Sequence, residues 1–480
     1  MKNIFSVFLS AVIIQGTLTS TSLAEPIYHP SGSQLTFGGM THRHLTVSDM
    51  GNPAQPAINP APGTRGGRYG AGIAIGLGIE YDAHDRLWEL LDNAGEEDAL
   101  APGDGDDDES GESGPDFPDI TNPDFIALID DIKKKAVDLA LVVGTAVTGL
   151  NAKVFTSADI PLLISNETLG GSWTFGANVS ITTNLKGIND PIEFDADTAL
   201  SILKGIYVVP TLTAEDFDLS GGLIVTVNPD GSTSYRFEND SGTITRAAQI
   251  TEIGIGYSRK IWAKQDNEIY LGIKPKFYSV GLSNAFVFID NIEDAQSIFE
   301  ALDKDNFHYT EDFGIDLGAI WTGKQYQLGA TLTNINEPDF KYPDINLSNI
   351  TNPNIIKAIN KTQTYTMERQ LKLEGGYISK TGAWGINVGL DANAVPDPMF
   401  DDYQWLSAGV GFASDSWWLP GARVGIRKNL AGSKFTYLTA GITMFNVVNL
   451  DLASTTKTVK VDGNDIPQGL ILNLSAQVLF

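Results

Sequence analysis

The chain has 480 residues, a formal net charge of −27 and no cysteine. The lack of cysteine excludes disulfide scaffolds, thiol chemistry and cysteine-based metal sites. The strong negative charge argues against binding to nucleic acid, because the phosphates would be repelled. The 49 glycines suit an all-β chain with many turns better than a helical bundle.

Residues 1–24 have the pattern of a cleaved signal peptide. Lys2 precedes the apolar run from Ile4 to Ile14, and Ser22-Leu23-Ala24 places small residues before Glu25. These features predict secretion with cleavage after Ala24. The alternative, a membrane anchor, needs a longer apolar run.

Residues 25–67 precede the first predicted strand and are rich in Gly, Pro and Asn. They contain Gly51-Asn52-Pro53-Ala54. This segment is either a disordered leader or a plug that folds back into the lumen of a barrel.

The clearest strand is Tyr69 to Tyr81. Its odd positions are apolar and its even positions are small or polar, with an aromatic residue at each end. Such a long strand of period two is typical of a transmembrane barrel, whose strands need about 9–11 residues. A soluble sandwich also alternates, but its strands are about half as long.

An insertion is predicted at residues 82–166. It begins with an acidic tract, Glu96 to Asp119, in which Glu109 and Pro115 occupy positions where a calcium loop needs Gly and Glu. A solvated acidic run is therefore the better interpretation. A helix is expected at about 122–150, either packing against the barrel or lining its lumen.

The remaining chain has the same alternation, which predicts a transmembrane antiparallel β-barrel of about fourteen strands, together with the plug-like segment and the helical insertion. A hairpin at 223–237 either lies within a loop or adds two strands. A short helix is expected at 291–302. The other predicted strands are 172–183, 199–208, 245–262, 268–282, 313–321, 325–335, 367–378, 383–393, 404–413, 418–428, 433–445, 450–460 and 469–480.

The connections between these strands alternate in length. If the C-terminus is periplasmic, the connections at 263–267, 322–324, 379–382, 414–417 and 446–449 are short inner turns. The long connections, 283–312, 336–366 and 394–403, then lie outside, as does the middling connection 461–468. This sorting is typical of outer-membrane barrels. The exceptions are 429–432, which is short on the outer side, and 184–198, which is long on the inner side.

The last strand also alternates, and it ends at Phe480. A final strand of this kind ending in Phe is similar to the assembly signal of bacterial outer-membrane barrels. The resemblance implies that Phe480 is read by the outer-membrane assembly machinery, and that the protein lies in the outer membrane of a Gram-negative cell.

No catalytic constellation is evident. Among five histidines only His42 and His44 are close, and no carboxylate at matching spacing completes a metal site. No nucleophile elbow, phosphate loop or zinc-protease motif occurs. We therefore expect no enzyme activity, no cofactor and no metal, although a barrel hydrolase stays open because its residues would converge only in space.

The stretch from Pro420 to Ser433, with its R-x-G-x-R-x-N-L-A-G pattern, resembles the TraF-type conjugal transfer family. Asp401 to Ser407 and Val461 to Pro467 are similar to further segments of that family, and so is Gly51 to Ala54. The family in turn resembles FadL-type barrels, which carry hydrophobic molecules and have an N-terminal plug with an Asn-Pro-Ala motif.

This resemblance implies that Asn52, Pro53 and Ala54 form a plug motif. It also implies an accessory role in plasmid transfer, with the conjugation apparatus as partner, or uptake of a small hydrophobic ligand across the outer membrane, in contact with its lipid. The alternative is an interaction barrel that contacts an envelope partner through its long outer loops, 336–366 and 82–166.

Overall fold

A computed structural model describes part of the chain. The described residues are 32–39, 51–58, 68–82, 151–166, 170–190, 215–218, 223–227, 233–237, 240–288, 307–414, 416–461 and 464–479. Among them, no helix is both long enough and apolar enough to span a membrane.

Fourteen of the described strands form one closed antiparallel barrel, which confirms the predicted fold class. In barrel order they are β1 (Arg68–Asp82), β2 (Asn151–Asn166), β3 (Gly171–Ile188), β7 (Gly242–Lys264), β8 (Asn267–Phe288), β9 (His308–Thr322), β10 (Tyr326–Thr333), β13 (Gln370–Ile378), β14 (Trp384–Asp391), β17 (Trp405–Phe412), β18 (Gly421–Asn429), β19 (Thr436–Met444), β20 (Val448–Thr455) and β23 (Gly469–Leu479).

The other elements are short and belong to the connections. They are α1 (Gln34–Phe37), a 3₁₀ turn (Gln55–Ala57), β4 (Glu215–Asp218), β5 (Leu223–Val227), β6 (Thr233–Phe237), β11 (Asp339–Lys341), α2 (Pro353–Asn360), β12 (Thr364–Thr366), β15 (Val395–Pro396), β16 (Asp402–Tyr403), β21 (Thr458–Val461) and β22 (Asn464–Pro467).

The first and last barrel strands pair with each other and close the sheet. Ile75 of β1 lies opposite Leu474 of β23. Both side chains point away from the lumen and are about half exposed, whereas the neighbouring Ala74 is buried. Since an apolar side chain is stable on the outside of a barrel only where it meets lipid, this face identifies a transmembrane barrel.

The two ends of the barrel differ. At one end, which we call the short-turn end, the strands are joined by few residues, such as 265–266 and 323–325. This end carries a girdle of exposed aromatic side chains, which is typical of a membrane interface. The girdle comprises Tyr69, Trp262, Trp321, Tyr326, Tyr377, Trp384, Trp417, Trp418 and Phe445.

The opposite end, the long-loop end, has one tall wall. Strand β7 has 23 residues and β8 has 22, while β10 has 8. A strand needs only about 9–11 residues to cross the bilayer. The tall wall therefore extends beyond the membrane, and two long connections from the lower strands, 334–369 and 392–404, pack against it.

One predicted boundary is wrong. The predicted insertion 82–166 includes β2, which pairs with β1 and β3 as a full barrel strand. Asp159 and Pro161 lie on its inner face, which also holds the apolar Phe155 and Leu163, and because polar and apolar residues mix there the sequence pattern did not reveal the strand. With β2 in place, the connection after β3 lies at the long-loop end, so 184–198 is no longer an exception to the sorting of connections by length.

Smaller differences concern the connections. The hairpin 223–237 forms with β4 a three-stranded sheet apart from the barrel. The predicted strand 450–460 is divided, because its second part pairs with β22 as a separate hairpin. Helix α2 was not predicted. The predicted strand 199–208 and the helices expected at 122–150 and 291–302 lie outside the described residues.

Candidate functional site: the occupied lumen

The Asn-Pro-Ala turn lies inside the barrel against the inner wall. The Asn52 side chain accepts a hydrogen bond from the Ala54 backbone N–H at 2.9 Å and donates one to the Ala330 carbonyl of β10 at 3.2 Å. The first bond closes a local turn, and the second ties that turn to the wall. Gln327 donates a further bond to Gln55 at 2.8 Å.

Two wall glycines make this contact possible. A Cβ on Gly272 of β8 would lie 2.0 Å from the Pro53 carbonyl oxygen, and one on Gly318 of β9 would lie 2.1 Å from the Asn52 side-chain oxygen. Both glycines are inward-facing, since their neighbours Leu271 and Leu317 are exposed on the lipid side. Any larger residue would push the turn off the wall.

A second N-terminal segment, 32–39, occupies the lumen on the other side. Arg427 of β18 donates to the Gln34 carbonyl of α1 at 3.1 Å, and Asn387 of β14 donates to the Phe37 carbonyl at 2.7 Å. The Gly39 N–H donates to Glu374 of β13 at 2.8 Å. Polar wall groups therefore hold this segment mainly by its backbone.

A cavity of about 130 Å³ lies between these two segments and the wall. Its wall residues come from consecutive barrel strands, β7 to β18, at one level of the lumen. The charged residues that line it are Glu252, Lys274, Lys276, Asp316, Lys372, Glu374, Asp391 and Arg427. The cavity is therefore highly polar, with equal numbers of acidic and basic groups.

Half of these charges form a closed network. Lys276 lies 2.9 Å from Asp316 and 3.7 Å from Glu252, and Lys274 lies 2.9 Å from Glu252. Asn334 accepts from Lys276 at 3.0 Å and donates its backbone N–H to Asp316 at 2.9 Å. Each charge has a partner, as buried charges require.

The long-loop end is closed by the connection 392–404, which we call the lid loop. Its Asp397 carboxylate lies 2.6 Å from the ammonium group of Lys153 on β2, and Asp401 also pairs with Lys153. Lys153 donates to the Tyr403 hydroxyl at 3.1 Å, and Tyr403 donates to Glu80 of β1 at 3.1 Å. Ion pairs thus fasten the lid loop to the far wall.

The pKa values of the two lid-loop carboxylates, Asp397 and Asp401, are shifted in opposite directions. Burial raises the pKa of Asp397 to about 6, although Lys153 opposes the shift. Burial also acts on Asp401, but there the attraction of Lys153 and Lys186 prevails and holds its pKa below the usual range.

An apolar layer surrounds this ionic fastening, and we call it the mouth cluster. The Tyr342 hydroxyl donates to the Pro398 carbonyl at 2.6 Å and so joins the two long connections. The layer combines wall and loop side chains: Leu35, Phe155, Ala248, Ile250, Tyr278, Val280, Leu282, Phe340, Tyr342, Tyr365, Met367, Val395, Met399, Tyr403, Trp405, Phe435, Tyr437, Ala453 and Ile471.

Some of the predicted site residues lie within the described part of the chain and others do not. Asn52, Pro53 and Ala54 lie in the lumen. Phe480, His42 and His44 lie outside the described residues. No group of three or more potential metal ligands occurs in the described part of the chain.

Sequence reasoning missed the lid fastening and the charged cavity. One signal was present, because Arg423 and Arg427 occupy the inward face of β18 while the apolar Val424 and Ile426 occupy its outward face. A charged residue on the face opposite the apolar positions of an alternating barrel strand points to the lumen.

The fold and this interior define a transmembrane β-barrel whose lumen is occupied by its own N-terminal segments. Residues 50–391 match the family described as "F plasmid transfer operon, TraF, protein". The chain belongs to that family. No curated protein matches the sequence.

Several solved structures are similar in outline. The Pseudomonas putida toluene transporter TodX is 9% identical, with 96% of this chain and 99% of that chain covered and a TM-score of 0.38. A TodX deltaS2S3 mutant monoaromatic hydrocarbon channel is also 9% identical, covering 94% and 98%, with a TM-score of 0.39. The CymD monoaromatic hydrocarbon channel is 9% identical, covering 95% and 99%, with a TM-score of 0.31.

Proposed function

We propose that this protein is a gated outer-membrane barrel that admits small solutes when the segments inside its lumen move. The observation that carries the proposal is the contact between the Pro53 carbonyl and the inner wall at Gly272. A segment held to the wall by a few hydrogen bonds is more easily displaced than a barrel strand.

The outer-membrane location is supported by the closed barrel, its apolar outer face and its aromatic girdle. By the usual asymmetry of such barrels, the short-turn end faces the periplasm. Cleavage of residues 1–24 and recognition of Phe480 by the assembly machinery belong to the same proposal.

The lining favours a polar solute. An apolar molecule on the direct path would pass eight charged side chains and could form no hydrogen bond with any of them. The mouth cluster is apolar, but its side chains pack against one another. Uptake of a small hydrophobic compound is therefore the less favoured form of the proposal.

Conductance across a planar bilayer tests the gate. We expect low conductance for the full-length protein and high conductance for Gly272→Val with Gly318→Val, because both new side chains would collide with the Asn-Pro-Ala turn. Gly176→Val is the matched control, since a Cβ there meets nothing within 4 Å.

Gel migration without boiling verifies that each variant is a folded barrel, as folded barrels resist detergent until heated. Equal conductance of a folded double variant and of the control would contradict the proposed gate.

A second candidate is an accessory role in plasmid transfer, which the family's description favours. The long connections would then contact the transfer apparatus. Donor cells lacking the protein should transfer plasmid less often, and the Gly176→Val protein should restore transfer. Unchanged transfer frequency in donors that lack the protein would exclude this role.

A further inference from the structure

We propose that the lumen cavity is a binding site for a small zwitterionic solute, held between Lys372 and Arg427 on one hand and Glu374 and Asp391 on the other. The inference rests on the proposed function, because it names the class of solute that this lumen admits. It depends on four charges that the wall brings together without pairing.

All four side chains face inward: Lys372 and Glu374 lie on β13 and Asp391 on the adjacent β14, while Arg427 lies two strands further round on β18. Lys372 of β13 lies directly opposite Asp391 of β14 in the strand register. Opposite charges in such positions ordinarily form a cross-strand pair. No ion pair within 4.0 Å joins any of the four to another described residue.

The basic side has an unused donor. Arg427 is 7% exposed, and its Nε–H finds no acceptor, while its guanidinium lies 4.9 Å from the centre of the Trp405 ring. A buried donor without a partner is costly. A carboxylate placed beside Arg427 would supply the missing acceptor.

The two carboxylates of the acidic side can accept further hydrogen bonds. Glu374 accepts one described hydrogen bond, from the Gly39 N–H, and the Asp391 carboxylate accepts one, from the Trp405 N–H. An ionised carboxylate offers about four lone-pair sites. An ammonium group between the two would find acceptors on both.

The charges in the other half of the cavity are all paired. Lys274, Lys276, Glu252 and Asp316 satisfy one another. The other four charges are therefore the ones left for a ligand. A molecule with one positive and one negative group matches them, whereas a simple ion would match only half of them.

The cavity's size restricts the ligand. Its volume is about 130 Å³, roughly ten times the 10–15 Å³ that a cavity needs in order to hold one water molecule. Backbone of the two N-terminal segments, at Gly38, Gly39 and Gly51, bounds it. A solute of the size of a small amino acid fits this space.

Titration calorimetry on the full-length protein in detergent tests binding directly. The probes are alanine as the zwitterion, glycerol as a neutral solute of similar size, and acetate and ethylammonium as simple ions. We expect saturable heat for alanine alone. Equal signals for alanine and glycerol, or no signal for alanine, would overturn the proposal.

Two variants locate the site. Lys372→Gln and Glu374→Gln each remove one charge, and Gln at 374 still accepts from the Gly39 N–H. Each should weaken alanine binding by about tenfold or more, because a charge-assisted hydrogen bond is lost. The exposed residues Lys428 and Glu311 provide matched controls, Lys428→Gln and Glu311→Gln, which should bind as the unaltered protein does.

The same variants separate this inference from the gate. In the Gly272→Val/Gly318→Val background, vesicles should take up alanine faster than glycerol, and Lys372→Gln should remove the difference. If the double variant conducts but the unaltered protein binds no alanine by calorimetry, the site is wrong and the gate stands. If alanine binds but the barrel never conducts, the site stands and the gate is wrong.

Discussion

The ammonium group of Lys153 lies 2.6 Å from the carboxylate of Asp397, and both side chains are 2% exposed. One partner belongs to the barrel wall and the other to the lid loop. Such a pair gains little over apolar packing when intact, but breaking it leaves a charge buried without compensation. The closed position of the lid loop therefore depends on both partners.

Replacing Lys153 by Met should loosen the lid loop. Asp397 and Asp401 would lose the cation that they share, which leaves Asp397 buried without an ion pair and destabilises the closed position by roughly 3–5 kcal/mol. Limited proteolysis within 392–404 should become faster by at least about tenfold. Lys186→Met is the control, because Lys186 lies 4.0 Å from Asp401 and is half exposed. Equal cleavage of the two variants would contradict the role given to Lys153.

The lid loop should close more tightly as the solution becomes mildly acidic. The folded pKa of Asp397 is about 6, above its unfolded value of about 3.9. The closed state therefore binds a proton more readily, and its stability rises as the pH falls from about 7 to about 4. The gain is on the order of 1–3 kcal/mol. Below that window, protonation of Asp401, whose pKa is lowered, removes stability again.

Protection of residues 392–404 from protease at pH 7.5 and pH 5 measures this effect. The Asp397→Asn variant should show almost the same protection at both values, since the group that titrates in this window is gone. Other charged or titratable groups face the pair, namely Glu80, Lys186, Arg246, Tyr342, Tyr403 and Tyr437. If the Asp397→Asn variant keeps the pH response, one of these other groups and not Asp397 causes it.

Strand β1 was predictable because Tyr69 to Tyr81 alternate without a break. Strand β2 was not, because Lys153, Asp159 and Pro161 alternate irregularly with apolar residues on its inner face. Those departures are structural: the inner face of the barrel meets polar groups, so the sequence there does not need to be regular.

The candidate site was less accessible to sequence reasoning. Asn52 came from a resemblance, and its contact with Ala330 spans 278 positions. Lys153 and Asp397 are 244 positions apart. A period of two identifies which face a residue occupies, but it does not identify which loop folds into the lumen to meet it.

The Asn-Pro-Ala turn should be weakened by Asn52→Ala. The change removes the hydrogen bond to Ala54 and the one to Ala330, which together contribute about 1–3 kcal/mol. The conducting population should rise by about tenfold or more if displacement of this turn opens the lumen. Single-channel recordings measure that population. Asn354→Ala, at an exposed position of α2, should behave as the unaltered protein. An equal rise of the conducting population in both variants would show that displacement of the turn does not open the lumen.

A second buried pair should govern the stability of the barrel rather than its gate. Arg423 of β18 and Asp451 of β20 form a bidentate ion pair, and Arg423 also donates to Thr443 at 2.7 Å. Arg423→Met leaves Asp451 charged and fully buried, which costs about 3–5 kcal/mol. Adding Asp451→Leu removes that charge as well and should recover most of the loss. The temperature at which the folded band disappears on unboiled gels measures both effects. If the double variant unfolds at a lower temperature than Arg423→Met, the pair stabilises the barrel through its own attraction and not merely by compensating a buried charge.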